Sequence, residues 1–205
     1  MPDPISWEFA WPYLFSAALG GYLLGSIPFG VLLTRLFGAG DLRKIGSGNI
    51  GATNVLRTGR KDLAFLTLLL DGGKGGVAAL IAAVWGPDTM LVAGFFAVLG
   101  HNFPVWLRFK GGKGVATTLG TLFVVSWPVG LIFAAVWLAT AALFRISSLS
   151  ALLGMAASPI AMWFVTGDLQ RVEFAAALAV LAFLRHHENI RRLLRGEEPR
   201  IGSKK

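Results

Sequence analysis

The chain has no cysteine among its 205 residues, which excludes disulfides, thiolate metal ligands and a cysteine thioester intermediate. Charge is also scarce. Asp, Glu, Lys and Arg make up 15% of the residues, against about a quarter in soluble domains. With three histidines and 11 acidic residues, no His, Asp and Glu set shows metal-ligand spacing, so no metal and no cofactor is expected. The start lacks the basic stretch of a cleavable signal peptide, because Asp3 and Glu8 precede the first basic residue, Arg35. The first apolar segment is therefore expected to stay as a membrane helix.

Apolar residues are abundant instead, at 55% of the chain with a mean hydropathy of +0.64. Residues 9–34, 115–144 and 146–166 contain no charged side chain. About 20 apolar residues in a helix cross the hydrocarbon core, so the expected class is an all-α integral membrane protein. Seven spans are expected, at roughly 9–36, 63–86, 89–106, 115–126, 128–144, 147–166 and 169–185. Two are short, and the stretch 115–144 divides at Ser126-Trp127-Pro128. Basic residues near span ends stay in the cytoplasm. With seven spans and the N-terminus outside, all 19 Lys and Arg fall inside except Arg171 and the intramembrane Lys74. Six spans would strand the basic tail, residues 185–205, outside. No repeat or linker divides the chain, so residues 1–205 are expected to form one membrane-embedded domain. The net charge is +8 and lies beside apolar spans, which favours membrane lipid and anionic small molecules over nucleic acid as partners.

Polar residues of unusual kind gather in the expected inner segments. The first reads Gly46-Ser47-Gly48-Asn49-Ile50-Gly51-Ala52-Thr53-Asn54-Val55-Leu56-Arg57. Its glycines let backbone N–H groups approach an anion closely. Ser47, Asn49, Thr53 and Asn54 add neutral partners, and Arg57 adds a fork suited to phosphate. The second, around Gly111-Gly112-Lys113-Gly114, opens a helix, where backbone donors, the positive helix end and Lys113 suit phosphate together. It is not a nucleotide P-loop, which needs Ser or Thr after the Lys. Close helix packing is the other use of such glycines. The third segment begins at His186, with Asn189 one turn on if the helix continues. Its arginines 191, 192 and 195 read as an interfacial tail. Asp71 and Lys74, inside a span, read as an ion pair fixing helix positions or as a functional charge. Ser147 and Ser148 stand where a helix cap is expected.

Taken in order, these segments resemble the bacterial acyl-phosphate–glycerol-3-phosphate acyltransferase (PlsY) family. The matching residues are Gly25-Ser26-Ile27-Pro28-Phe29-Gly30, Asp41-Leu42-Arg43 with residues 46–57, and Asp71 with Lys74-Gly75. They continue through Gly100-His101, Phe103-Pro104, residues 110–117, and His186, Asn189-Ile190 and Arg192-Leu193. The resemblance implies seven helices in the bacterial cytoplasmic (inner) membrane and a site at the cytoplasmic face. It also implies transfer of a fatty acyl group from acyl phosphate to the 1-hydroxyl of glycerol 3-phosphate, the first step of phospholipid synthesis, with a functional link to the enzyme that makes acyl phosphate. Ser47, Arg57, Lys113, His186 and Asn189 correspond to residues that act in the family, and Ser148 to one near substrate. Gly46, Gly48, Asn49, Thr53, Asn54, Gly111, Gly112 and Gly114 complete the expected substrate-binding set.

The chemistry fits these residue types. An acyl phosphate is already activated and needs orientation and charge neutralisation more than a strong base. The attacking hydroxyl's proton can go to His186 or to a substrate phosphate. Acyltransferases with a His followed five residues later by Asp do not match, because Trp106, Arg191 and Arg192 occupy those positions. A transporter or flippase for an anionic phosphate compound or lipid is the alternative, since broken helices and inward cations suit it too.

Overall fold

Backbone N–H and C=O groups inside lipid must be satisfied internally, so a chain this apolar folds as helices. The computed structural model describes residues 6–202. Among them there is no strand. The helices are α1 (Trp7–Gly25), α2 (Phe29–Leu36), α3 (Ala52–Leu56), α4 (Lys61–Ala82), α5 (Pro87–Asn102), α6 (Val115–Val125), α7 (Trp127–Phe144), α8 (Ser147–Thr166), α9 (Leu169–Arg185) and α10 (His187–Leu194). Among the described residues, five segments are long and apolar enough to cross a membrane: Trp7–Leu36, Lys61–Trp85, Pro87–Leu107, Trp127–Phe144 and Ser147–Thr166. Helices α6 and α9 are shorter, at 11 and 17 residues. The expected division of 115–144 appears as the break between α6 and α7.

The surface confirms the solvent. Val84, Leu143, Phe164 and Leu194 are each about four-fifths exposed, which an aqueous protein would pay for in aggregation and which lipid accommodates. Several buried hydroxyls are satisfied by the backbone of their own helical turn. Thr34, Thr67, Thr121, Ser150 and Ser158 each donate to a carbonyl one turn back, at 2.7–2.9 Å.

By internal contacts the chain divides into two compact units, 2–125 and 126–205. In the first, helices meet through small residues. A side chain at Gly21 or Gly25 of α1 would run into the α5 backbone at Ala93 or Ala97, and one at Gly100 would meet Tyr22 of α1. Gly72, Gly75, Gly76 and Gly120 do the same for α4 against α6. Such close backbone approach is how helices associate in lipid, where no hydrophobic force drives them together. The single apolar run expected from residue 9 to 36 is broken at Ser26-Ile27-Pro28, because Pro28 lacks the N–H that would continue the ladder. In the second unit, Val129, Phe133, Met155, Met162 and Leu178 form the interior. Its tail returns to the α7–α8 turn: Ile201 N–H donates to the Arg145 carbonyl at 2.6 Å, and Arg145 Nη2 donates to the Ile201 carbonyl at 3.1 Å.

Candidate functional site

The first station lies in residues 41–57. Asp41 starts a short 3-10 turn (Leu42–Lys44), accepting from the Arg43 backbone N–H at 3.1 Å and from its guanidinium at 2.9 and 3.0 Å. The Arg43 hydrogen bonds hold this exposed carboxyl down at about 2. Leu42, Val55, Leu63 and Ala64 form a small apolar cluster that seats α3 against α4. Buried among these elements, Asn54 is the hub. Its amide nitrogen faces the carbonyls of Leu42, Ile45 and Asn49 at 2.7–3.0 Å. Its Oδ1 accepts from Ser47 N–H at 3.3 Å, Ser47 Oγ at 3.5 Å and Arg57 Nη1 at 3.4 Å.

One amide oxygen thus brings together Ser47 and Arg57, both exposed. Gly46, in left-handed backbone at φ 54°, leaves no room for a side chain beside Asn54 and Arg57. Gly48 is left-handed too, at φ 68°. Asn49 turns inward to accept from Gly51 N–H at 3.1 Å, while Thr53 faces outward from α3. The sequence set Asn54 beside Ser47 and Arg57 as a ligand group. Its hydrogen bonds make it the scaffold that holds them.

The second station follows α5. Arg108 and Phe109 both adopt left-handed backbone, at φ 52° and 62°, a conformation that costs about 1 kcal/mol or more per non-glycine residue. The tight turn they form brings the glycines back onto the end of α5. Gly112 donates its N–H to the His101 carbonyl at 3.0 Å. The His101 imidazole fills the place of a Gly112 side chain, while Gly111 lies against Pro104 and the His101 and Asn102 carbonyls. Gly114, at φ 76°, fits against Asn102 and Val98. Close packing on α5 therefore accounts for glycine at all three positions. Lys113 stands between them, half-buried, just before α6.

The third station belongs to the 126–205 unit. Helix α9 ends at His186, which is buried and holds its Nδ1 2.7 Å from the Ala182 carbonyl. A carbonyl only accepts, so Nδ1 carries the proton and Nε2 is the basic nitrogen of the neutral ring. The helix is interrupted at His186, yet Ile190 N–H still bonds the His186 carbonyl at 2.9 Å and sets Asn189 one turn on. The Glu198 carboxylate then gathers three side chains. Oε1 accepts from Ser148 Oγ at 2.7 Å and Asn189 Nδ2 at 2.5 Å, and Oε2 accepts from Arg192 Nε at 2.7 Å. Burial pushes the Glu198 carboxyl up, but the hydrogen bonds from Asn189, Ser148 and Arg192 outweigh it and hold it below its ordinary range.

Ser148 does not cap α8. The cap position is Ile146, with no side-chain cap bond, and the Ser148 hydroxyl reaches Glu198 instead. Arg192, read from sequence as an interfacial residue, is also drawn into this clasp. Sequence reasoning did not single out Glu198, which holds Ser148 and Asn189. Its available signal was a pair of acids, Glu197 and Glu198, closing an arginine-rich tail. Among the described residues no three or more His, Asp and Glu side chains gather to hold a metal.

These features define a multi-pass, all-helical membrane protein with serine, asparagine and cationic side chains presented on short, braced segments. The chain matches the family model described as glycerol-3-phosphate acyltransferase over residues 15–196. It is 65% identical to the glycerol-3-phosphate acyltransferase of Paramagnetospirillum magneticum, over 94% of this chain and 96% of that protein. It is 62% identical to that of Cereibacter sphaeroides, over 90% and 88%. Among solved structures it is similar to PlsY (YgiH), an integral membrane glycerol 3-phosphate acyltransferase, in its glycerol 3-phosphate form. There the TM-score is 0.87 at 40% identity, covering 92% of this chain and 96% of that one. The lysophosphatidic acid form gives 0.86 at 38% identity, covering 92% and 95%. The chain belongs to the glycerol-3-phosphate acyltransferase family.

Proposed function

We propose that this protein transfers a fatty acyl group from acyl phosphate to the 1-hydroxyl of glycerol 3-phosphate, releasing lysophosphatidate and inorganic phosphate. The observation that carries the reading is the pairing of Ser47 and Arg57 on Asn54 Oδ1, a hydroxyl donor beside a fixed cation, in a chain of this family. Arg57 and Lys113 neutralise substrate phosphates, and Ser47, with Gly46, Gly48, Asn49 and Thr53 around it, orients the acceptor. Gly111, Gly112 and Gly114 shape the segment that presents Lys113. His186 and Asn189, with Ser148 held on Glu198, complete the reacting groups.

The acceptor hydroxyl attacks the acyl carbonyl, the new ester C–O bond forms, and the bond to the phosphate oxygen breaks. The hydroxyl proton passes to the departing phosphate or to His186 Nε2. No covalent acyl-enzyme is required, because the donor is already a mixed anhydride. Release of phosphate and lysophosphatidate from purified protein, offered acyl phosphate, acyl-CoA or acyl-carrier protein separately, tests this. Turnover with acyl phosphate alone is the expected result, and equal or faster turnover with acyl-CoA would refute the donor.

The chain is read as one membrane-embedded domain. Helices α6 and α9 join the five longer segments to make seven spans in the bacterial cytoplasmic membrane, with the N-terminus outside and the site at the cytoplasmic face. The partition of basic residues supports this orientation. Cysteines introduced at Asp88 and Arg200 of the cysteine-free chain are expected to label from opposite sides, and labelling from one side refutes it. Acyl phosphate must then reach the site from an enzyme that makes it, with its chain in membrane lipid.

A further inference from the structure

We propose that Asp71, in the middle of α4, is a positioning residue for acyl transfer that sets the Ser47–Arg57 station and the Lys113 station relative to each other. The proposal rests on the functional reading above. Asp71 and Lys74 have side chains only 3% and 1% exposed, and a charge kept in the interior of a membrane helix is costly unless it is used. A plain ion pair would end at its partner, but this one does not.

Asp71 Oδ1 lies 2.8 Å from Lys74 Nζ and 3.6 Å from His101 Nδ1. From that one oxygen two chains of contact run out within residues 6–125. Lys74 also donates to the Ile27 carbonyl at 2.8 Å, in the break between α1 and α2, and its ammonium lies 5.7 Å from the centre of the Phe29 ring. The break fixes the start of α2, and Gly30, one residue beyond Phe29, lets α2 press onto the Ile50 carbonyl in the first station. On the other side, the His101 ring fills the place of a Gly112 side chain and the His101 carbonyl accepts the Gly112 N–H. Gly112 precedes Lys113. One carboxylate oxygen therefore ties the support of Ser47 and Arg57 to the support of Lys113 through a single side chain on each route.

A transfer between two anionic substrates depends on that relation. A displacement of about 1 Å in a positioning element can cost about a hundredfold in rate. The residues that touch substrate stay intact in an Asp71 variant, so the loss falls on kcat more than on KM for glycerol 3-phosphate. Asp71→Asn keeps the shape and removes the charge shared by Lys74 and His101. His101→Gln cuts the Lys113 route and leaves the Asp71–Lys74 pair in place.

The test uses the absence of native cysteine. Lys44→Cys and Lys110→Cys, both exposed, carry nitroxide labels on the two loops of the full chain in nanodiscs, and pulsed electron paramagnetic resonance reads the distance between them. In Asp71→Asn and in His101→Gln the distance distribution is expected to broaden or shift, and kcat with acyl phosphate to fall about a hundredfold and about tenfold. The double variant is expected to lose no more than Asp71→Asn alone, and Asp71→Glu to recover part of both readouts. A distance distribution and kcat that stay at parent values in His101→Gln overturn the proposal, also where Asp71→Asn fails to fold. So does a fall in kcat with an unchanged distance distribution in either variant. A parent protein inactive with acyl phosphate refutes the functional reading instead, and the distance measurement still decides the role of Asp71.

Discussion

The two units hold their polar residues in opposite ways. In residues 41–57 the hub is neutral: the Asn54 amide spends its donors on three backbone carbonyls and its oxygen on Ser47 and Arg57. In the 126–205 unit the hub is charged, with Glu198 gathering Ser148, Asn189 and Arg192. The neutral hub fixes backbone and does not titrate. The charged hub fixes side chains drawn from two helices, α8 and α10, and it depends on staying ionised. The difference separates what shape controls in this protein from what pH controls.

The largest effect is expected from Asn54→Ala. The two amide hydrogens that three carbonyls share are lost at about 1 kcal/mol each, and Ser47 and Arg57 lose their common acceptor at about 1 kcal/mol more. Thermal unfolding of the detergent-solubilised protein is expected to show a loss of about 3 kcal/mol, with activity below detection. Arg57→Ala and Lys113→Ala leave the Asn54 amide in place and, on the proposed function, remove one charge-assisted phosphate contact each. Such a contact is worth about 1.5–3 kcal/mol, so turnover is expected to fall about ten- to a hundredfold while Tm holds. If Arg57→Ala lowered Tm as far as Asn54→Ala does, the neutral hub would not be the scaffold.

Glu198→Gln comes next. The shape survives, but the charged acceptor for Asn189 and Arg192 is lost, at about 1–2 kcal/mol, and activity is expected to drop about tenfold. Ser148→Ala removes one of the three bonds and should cost less. Acid offers the same comparison without mutation. The Glu198 carboxyl is depressed in the folded protein, so the unfolded chain binds its proton first as pH falls. Its stabilisation is complete above the ordinary value of 4.5 and is lost as pH falls through the lower folded value. Hydrogen exchange in 187–202 is therefore expected to rise at acid pH while the Asn54 loop stays protected, and Glu198→Gln should abolish that dependence. The smallest effect belongs to Asp41→Asn. This exposed pair with Arg43 titrates near 2, and surface pairs of this kind contribute little, so activity and Tm at neutral pH are expected to match the parent.

Legibility followed the same division. Lipid demands long apolar runs, so the five long spans could be read from composition, and the division at Ser126-Trp127-Pro128 could be read from the partition of basic residues. The break at Ser26-Ile27-Pro28 was hidden because the charge-free run 9–34 continues straight through it. Ser47, Arg57 and Lys113 stood out by type and by their glycine neighbours. What a run of polar letters does not show is which of them are already spent on backbone. Asn54 and Asn49 look like ligand groups in sequence, and the fold adds that the Asn54 amide bonds three backbone carbonyls and that Asn49 Oδ1 accepts from Gly51 N–H. Glycines 111, 112 and 114 have the residue type of a phosphate cradle, yet their closest neighbours are residues of α5 and Pro104 just after it. Glu198 was invisible for another reason. Its partner Ser148 is 50 positions away, and no local pattern signals a pairing at that separation.

The α1–α5 contact has a consequence for how the chain is made. Gly21 and Gly25 of α1 meet Ala93 and Ala97 of α5 almost backbone to backbone. Helix α1 enters the membrane before α5, so its glycine face cannot close until residues 87–102 have left the ribosome and been inserted. Order of insertion and order of assembly therefore differ. During that interval α1 carries an open small-residue face of the kind that binds other helices in lipid. A nascent chain stalled before α5 would present this face to neighbouring membrane proteins, and a quality-control protease or chaperone in the bilayer could recognise it as unfinished.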